Sequence, residues 1–247
     1  MRVVPCDSVA GGDHARISVN TAKPNHSSDP TRLMTRYSRP ALPLRAIRRC
    51  AAMLRALWMR LSGAHVGKGV FVGRDPQFYG LAGIAIGDRV NIGRRARLET
   101  HRTERGQGQI SIGSGTNIGN DLHVGAALRV LIGRNCMLAS GVTVLDHDHD
   151  FADPFDARTA AEGVIAAPTV IEDSVFLGEH VVVLKGVRIG NGSVIGANSV
   201  VTNDIPPLTM AAGMPARPIR RFNETTRAWE RIDSITPPRA PTKGAAG

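Results

Sequence analysis

Three stretches of this chain, GDRVNIGRRARL (87–98), GSGTNIGNDLHV (113–124) and GNGSVIGANSVV (190–201), repeat the same unit of six residues. Each unit has an aliphatic residue, a small residue, two turn-forming positions and a small or β-branched residue. An α-helix has no six-residue period, and a two-layer sandwich would give irregular spacings. The repeat therefore predicts a β-solenoid, in which each unit forms one side of a coil and points its aliphatic residue at the axis.

The period extends through most of the chain. Three units per coil would build a triangular prism, so we expect an all-β fold over residues 63–206. The positions that carry the period, with phenylalanine at one of them, are Val66, Val72, Phe78, Ile86, Ile92, Leu98, Ile112, Ile118, Val124, Ile132, Leu138, Val144, Ile171, Leu177, Val183, Ile189, Ile195 and Val201.

The irregularities of the repeat all fall at one point of the coil. With the units grouped in threes, 2, 8, 2 and 21 extra residues precede Ile86, Ile112, Ile132 and Ile171. Every insertion should therefore leave the prism from a single edge, the decorated edge. Loops on a rigid scaffold commonly carry function, so we expect the functional site at this edge.

The longest insertion begins in GVTVLDHDHDFADP (141–154), which places His147 and His149 among aspartates. Imidazole titrates near neutral pH, and a neighbouring carboxylate holds its tautomer, so a histidine here is a candidate general base. Two other interpretations remain open. The loop could simply be solvated, or a metal site could be built from histidines drawn from His101, His123, His147 and His149.

The positive charge lies at the ends of the chain. Residues 1–62 carry a net charge of +8, residues 63–202 carry −1 and residues 203–247 carry +3, for a total of +10. The basic residues lack interleaved aromatics and a nucleic-acid-binding module, so no nucleic acid partner is expected. The three cysteines are far apart, which argues against a disulfide framework and favours the cytoplasm. The N-terminus has no apolar core of a signal peptide.

The ends outside the repeat divide into four segments. Residues 1–41 have no apolar period and are predicted to be a disordered leader, and residues 236–247 a disordered tail. Residues 207–235 are expected to cap the solenoid, with a short helix in ETTRAWERI (224–232).

The fourth segment, residues 42–62, is predicted to form a basic amphipathic helix. One interpretation is that this helix packs over the first coil, and another is that it lies on an anionic membrane surface. The predicted apolar stripe of the helix consists of Leu44, Ile47, Ala51, Leu54, Trp58 and Leu61.

The loop HDFADP (149–154) resembles that of the sugar O-acetyltransferases of the galactoside, maltose, nodulation-factor and colanic-acid type, a branch of the hexapeptide-repeat acyltransferases. The resemblance implies a left-handed parallel β-helix and direct acetyl transfer in a ternary complex. One loop histidine of that family removes the proton from the substrate hydroxyl. The matching residue is His149, with His147 as second candidate. Residues expected to contact the acceptor are Asp146, Asp148, Asp150 and His123.

Residues 175–221 resemble the acetyl-CoA-binding part of the same enzymes. The resemblance implies that Gly196 and Ala197 line the pantetheine, although coil turns demand small residues in any case. Asn203 replaces a more usual lysine, which leaves one phosphate contact in doubt. The further positions that match cofactor contacts are Phe176, Glu179, Thr202, Arg217 and Arg220.

The resemblance implies an acetyl-CoA-dependent O-acetyltransferase that needs no metal and acts on a saccharide hydroxyl, in exopolysaccharide, lipopolysaccharide or glycolipid synthesis. One prism wall cannot enclose a pantetheine arm, so we expect a homotrimer with sites between subunits. An amine acceptor, such as an amino sugar or a xenobiotic, is an open alternative. So is a metal-binding β-helix protein that is not a transferase.

Overall fold

Each six-residue unit forms one short strand, and three strands complete one coil. The computed structural model describes residues 42–150 and 163–232, in which successive coils pair in parallel to give three sheets. The pairing follows the sequence repeat, since Val66 lies beside Ile86 and Ile86 beside Ile112. The predicted β-helix, with three units to each coil, is confirmed.

The three sheets are the walls of the prism. The first contains β1 (His65–Val66), β4 (Ile84–Ile86), β9 (Gln109–Ile112), β12 (Arg129–Ile132), β17 (Thr169–Ile171) and β20 (Arg188–Ile189). The second contains β2 (Phe71–Val72), β5 (Asn91–Ile92), β10 (Asn117–Ile118), β13 (Met137–Leu138), β18 (Phe176–Leu177), β21 (Val194–Ile195), β23 (Thr209–Gly213), β24 (Ala216–Asn223) and β25 (Ala228–Arg231). The third contains β3 (Gln77–Tyr79), β6 (Arg97–Thr100), β11 (His123–Ala126), β14 (Thr143–Leu145), β19 (Val182–Val183) and β22 (Val200–Val201).

The core is the column of side chains along the prism axis. Every aliphatic residue at a predicted inward position is at most 7% exposed, and Phe78 packs half-buried against this column. Burial of apolar surface is the main favourable term in folding, and here it recurs every six residues. That recurrence explains why the period alone predicted the architecture.

All four insertions leave the prism at the corner between the third and first sheets, as predicted. They comprise a 3₁₀ turn at Leu81–Gly83, the hairpin of β7 (Arg102–Thr103) and β8 (Gly106–Gln107), a turn at 127–128, and the longest insertion. In the longest one, β15 (His147–His149) pairs antiparallel with β16 (Val164–Ala166). Its middle, 151–162, lies outside the described residues, as do the predicted leader and tail.

Helix α1 (Leu42–Leu61) covers the first coil and ends just before Gly63, which has a φ of 100°. Its buried face consists of the small residues Ala52 and Ala56 together with Met59. Arg55 and Arg60 attach the helix to the coil by donating hydrogen bonds to carbonyl groups of Val72, Val66 and Gly67. Packing on the first coil is thus confirmed, although a different face of the helix makes the contact.

Four large residues of the predicted apolar stripe of α1 point away from the solenoid. Alanines allow closer approach than leucine or tryptophan, and the arginines flanking them find carbonyl partners on the coil, which explains why the small face packs inward. Among the described residues no helix, including α1, is long and apolar enough to cross a membrane. The outward large residues, here named the outer stripe, are Ile47, Leu54, Trp58 and Leu61, between 52% and 80% exposed.

The C-terminal region differs from the prediction in two ways. The parallel pairing continues beyond residue 206, where the repeat was expected to end, because β23 still pairs in parallel with β21. The expected helix in 224–232 is instead a turn followed by β25, which pairs antiparallel with β24. The Asn223 side chain accepts backbone N–H groups of the turn, and Trp229 packs edge-on against Phe222 with ring centroids 5.3 Å apart. Turn capping and cross-strand aromatic packing therefore outweighed helix propensity.

Candidate active site

A cleft of about 1390 Å³ opens at the decorated edge. The ends of β6, β11 and β14 contribute to its lining, together with residues of the β7–β8 hairpin and of the β15–β16 pair. Residues from several coils, far apart in sequence, meet in it because the coils stack in register. Four histidines line the cleft: His101, His123, His147 and His149.

Asp146 lies beneath the cleft and is fully buried. Its carboxylate accepts backbone N–H groups of Ala127, Leu128 and Arg129, the first two at 2.7 Å. Burial alone raises the pKa of this carboxyl, but the hydrogen bonds from His147 and the three N–H groups outweigh it, and the pKa lies below its ordinary value. Direct contact of Asp146 with the acceptor, expected from the sequence, does not fit this burial.

His147 is oriented by that carboxylate. Its Nδ1 lies 2.9 Å from Asp146 Oδ1, its side chain is 12% exposed, and its ring meets that of His101 edge-on at 4.9 Å between centroids. An ionised Asp146 can only accept, so Nδ1 carries a proton, and in the neutral ring Nε2 is then the acceptor. Gly125 makes room for this ring, since an added Cβ would stand 3.2 Å from His147 Cε1.

A second carboxylate–imidazole pair lies on the same face. His123 Nε2 is 2.8 Å from Glu99 Oε1, and Arg97 donates to the same carboxylate. Burial raises the pKa of Glu99, but hydrogen bonds from Arg97 and His123 outweigh it and lower the pKa overall. His123 thus lines the cleft as expected, held by a glutamate that the sequence did not single out.

His101 was considered from the sequence only as a metal ligand. Burial, and then the neighbouring His147, lower its pKa, which favours the neutral ring. The signal that could have identified both Glu99 and His101 is the 8-residue insertion, because both lie where it leaves the coil. Register then places Glu99 and Leu145 on either side of Gly125.

His149 is exposed on β15, opposite Val164, and lines the cleft. Beside it, Asp148 forms an ion pair with Lys185 at the rim of the cleft. Asp150 donates its backbone N–H to Gly163, at 3.0 Å, and is not among the described residues that line the cleft. Of the three residues, His149 and Asp148 are thus the ones placed where a ligand in the cleft can reach them.

Four predicted cofactor residues lie at another corner. Phe176, Glu179, Gly196 and Ala197 lie where the chain passes from the second to the third sheet, and none of them lines the cleft. Stacking of the coils accounts for the small residues here: an added Cβ at Gly178 would stand 2.6 Å from Ala197 N. Small size is therefore required at this corner whether or not a ligand approaches it.

The other predicted cofactor residues lie close to the C-terminal coils. Thr202 is exposed on the decorated edge, just after β22, with its hydroxyl 2.9 Å from Asn203 Oδ1. Arg217 and Arg220 are exposed on β24. His101, His147 and His149 follow the third-sheet strands β6 and β14, whereas the four predicted residues at the other corner precede strands of that sheet; His123 is the first residue of β11. One prism therefore places these three histidines and the four predicted cofactor residues at different corners, while Thr202 lies on the same edge as the cleft.

Within residues 42–150 and 163–232, no three His, Cys, Asp or Glu side chains converge as a metal site requires. The imidazoles of His123 and His147 instead meet carboxylates, through Glu99 and Asp146 respectively. The arrangement at the decorated edge is one of paired acids and bases facing a cleft, which suits proton transfer.

Comparison with known proteins agrees with this geometry. Residues 168–203 match the family described as bacterial transferase hexapeptide (six repeats). The putative lipopolysaccharide biosynthesis O-acetyl transferase WbbJ of Escherichia coli is 36% identical over 158 residues, 60% of this chain and 76% of that protein. The galactoside O-acetyltransferase of the same organism is 38% identical over 126 residues, 48% of this chain and 60% of that enzyme.

Among solved structures, a variant of AntD, an N-acyltransferase from Bacillus cereus, was determined in complex with dTDP-4-amino-4,6-dideoxyglucose and coenzyme A. It superposes with a TM-score of 0.57 at 22% identity, over 69% of this chain and 90% of that one. This likeness supports the fold, including its left hand. Given the coil repeat and the extent of the match to WbbJ, the chain is a hexapeptide-repeat acyltransferase and belongs to the branch that contains the sugar O-acetyltransferases.

Proposed function

We propose that this enzyme transfers an acetyl group from acetyl-CoA to a hydroxyl group of a saccharide, with His149 as general base. The observation that carries the proposal is the position of His149, exposed in the cleft of the decorated edge and two residues from the Asp146–His147 pair. WbbJ and the galactoside enzyme, the two relatives described above, both carry the name of O-acetyltransferases. The loop resemblance at 149–154 assigns the base to the same residue.

In this mechanism His149 accepts the proton of the acceptor hydroxyl, while the oxygen of that hydroxyl attacks the thioester carbonyl. The C–S bond then breaks, and the imidazolium returns the proton to the departing thiolate. The ion pair of Asp148 and Lys185 lies beside the base and presents charged groups to the acceptor. His147, held by Asp146 and packed against His101, supports the start of β15.

The lining of the cleft suits a ligand rich in hydroxyl groups. Glu99, Arg102, Asp148 and Lys185 line it together with the histidines, so hydrogen-bond donors and acceptors are both plentiful. An acceptor from exopolysaccharide, lipopolysaccharide or glycolipid synthesis, either free or lipid-linked, fits this description. We place the reaction in the cytoplasm, because the widely spaced cysteines of the chain favour a reducing compartment.

A homotrimer would complete the site. His147 and His149 follow a strand of the third sheet, whereas the predicted pantetheine residues Gly196 and Ala197 precede one and do not line the cleft. A neighbouring copy that presents its pantetheine corner to this cleft would bring the sets together, and cyclic symmetry would then make three equal sites. Light scattering should give three times the chain mass of 26.3 kDa. A monomeric mass in the active enzyme would contradict this assembly.

The reaction is tested with purified enzyme, acetyl-CoA and a panel of neutral saccharides, acidic saccharides and amino sugars. We expect release of the coenzyme A thiol that depends on the acceptor, and an acetylated product that loses its acetyl group in mild alkali, as an ester does. An alkali-stable product would identify an amide and transfer to an amine. If no member of the panel accelerates thiol release, and equilibrium dialysis detects no binding of acetyl-CoA, the proposed function is wrong.

A further inference from the structure

The outer stripe of α1 is an apolar surface with no partner within the described part of the chain. Leu54, Trp58 and Leu61 are large, at least half exposed, and aligned on one side of the helix. The opposite side, with Ala52, Ala56 and Met59, already holds the helix on the first coil. The stripe is therefore not needed for attachment of the helix, and keeping it in water costs free energy.

The charge of the same segment indicates what covers the stripe. The helix contains five arginines and no acidic residue. Residues 1–62 together carry +8, whereas the following 140 residues, 63–202, carry −1. The positive charge is thus concentrated in the segment that displays the apolar stripe, so a partner that is both apolar and anionic is complementary to this segment.

We propose that the outer stripe docks on the surface of an anionic membrane, with α1 lying in the headgroup region. A basic helix with one apolar face binds such a surface through burial of that face and attraction to acidic lipids. Trp58 suits this position, because its ring is apolar and its N–H finds partners at the interface. A second copy of the helix is a poorer partner, because it would bring together two basic helices that contain no acidic residue.

This binding is independent of the transfer chemistry, so it can be true or false whatever the acceptor is. Its consequence for the enzyme is location: the solenoid would be held at the surface where lipid-linked saccharides are displayed. A helix that lies on the membrane is also compatible with the absence, among the described residues, of a helix able to cross one.

The first test is flotation of the full-length protein with vesicles of phosphatidylcholine alone and with about 30% phosphatidylglycerol. We expect at least about tenfold stronger binding to the anionic vesicles, and weakening by salt. The double substitution Leu54→Glu and Leu61→Glu should abolish most of the binding to anionic vesicles. The fold should be kept, since both side chains are exposed and neither contributes to the core. The matched control is Met214→Glu with Ile219→Glu, two exposed apolar residues remote in sequence from α1, which should bind like the wild type.

The second test uses Trp58 as a probe after Trp229→Phe leaves it as the sole tryptophan. Its emission should shift to the blue on anionic vesicles and be quenched by brominated lipids. The proposal is wrong if the wild type does not bind anionic vesicles, or if the stripe variant binds as well as the control. The membrane proposal is also wrong if the wild type does not bind vesicles and the stripe variant has a lower oligomeric mass in light scattering than the wild type. The stripe would then be an interface between protein chains.

Discussion

Replacing His149 by alanine should lower kcat/KM by about 10²- to 10⁴-fold and leave the fold intact. The side chain is exposed in the cleft, so its removal creates no core cavity, but the acceptor hydroxyl loses the group that takes its proton. The measurement is the initial rate of acceptor-dependent thiol release, together with the circular dichroism spectrum and the oligomeric mass of the variant.

Two further histidine variants make this test specific. His65→Ala removes an exposed histidine of β1 that does not line the cleft, and its rate should equal that of the wild type. His147→Ala should reduce the rate less than His149→Ala does, because Asp146 keeps its three backbone partners. If His149→Ala turns over normally while His147→Ala is inactive, the base is His147 and the assignment made here is incorrect.

Replacing Asp146 by alanine should destabilise the protein by about 3 kcal/mol or more. The substitution removes the acceptor of three backbone N–H groups, one from the buried Ala127 and two from the part-buried hydrogen bonds of Leu128 and Arg129, and a buried donor without a partner costs about 1–3 kcal/mol. Urea denaturation at fixed protein concentration measures the change. The control is Asp148→Ala, which breaks an ion pair with Lys185 that is largely exposed to solvent and should cost less than about 1 kcal/mol.

The pH dependence of this contribution follows from the lowered pKa of Asp146. Because the folded-state pKa is below the ordinary value of 3.8, the stabilisation is fully present above that value and decreases as the pH falls through the lowered pKa. The difference in unfolding free energy between the wild type and Asp146→Asn should therefore be constant near neutral pH and shrink below about pH 4. A difference that grows with acidity would show that hydrogen bonding does not hold this carboxylate in its charged form.

The decorated edge could be located from the sequence, because the insertions interrupt a repeat whose phase is otherwise strict. The same phase predicted which side chains fill the axis. Both inferences use only the distance between residues along the chain, and in a solenoid that distance sets the wall and the coil of each residue.

The detailed site was harder to predict, because its contacts join different coils. Asp146 was read as an acceptor ligand from its place in an acidic loop, yet it is buried by a turn 17 to 19 residues earlier in the chain. Glu99 approaches His123 across 24 residues. Neither pairing leaves a local pattern in the sequence. The packing of the insertions decides which loop side chains lie under the cleft and which ones face it.

At both ends of the described chain, tertiary contacts decided features that the local sequence did not predict. The amphipathic period of α1 was visible in the sequence, but the face that meets the coil was decided by close packing of alanines and by arginines that found free carbonyl groups. At the other end, pairing of β25 with β24 outweighed a local preference for helix. Periodic burial thus determines the fold and the decorated edge from sequence alone, whereas long-range hydrogen bonds and close packing, which no short segment contains, decide the orientation of individual side chains.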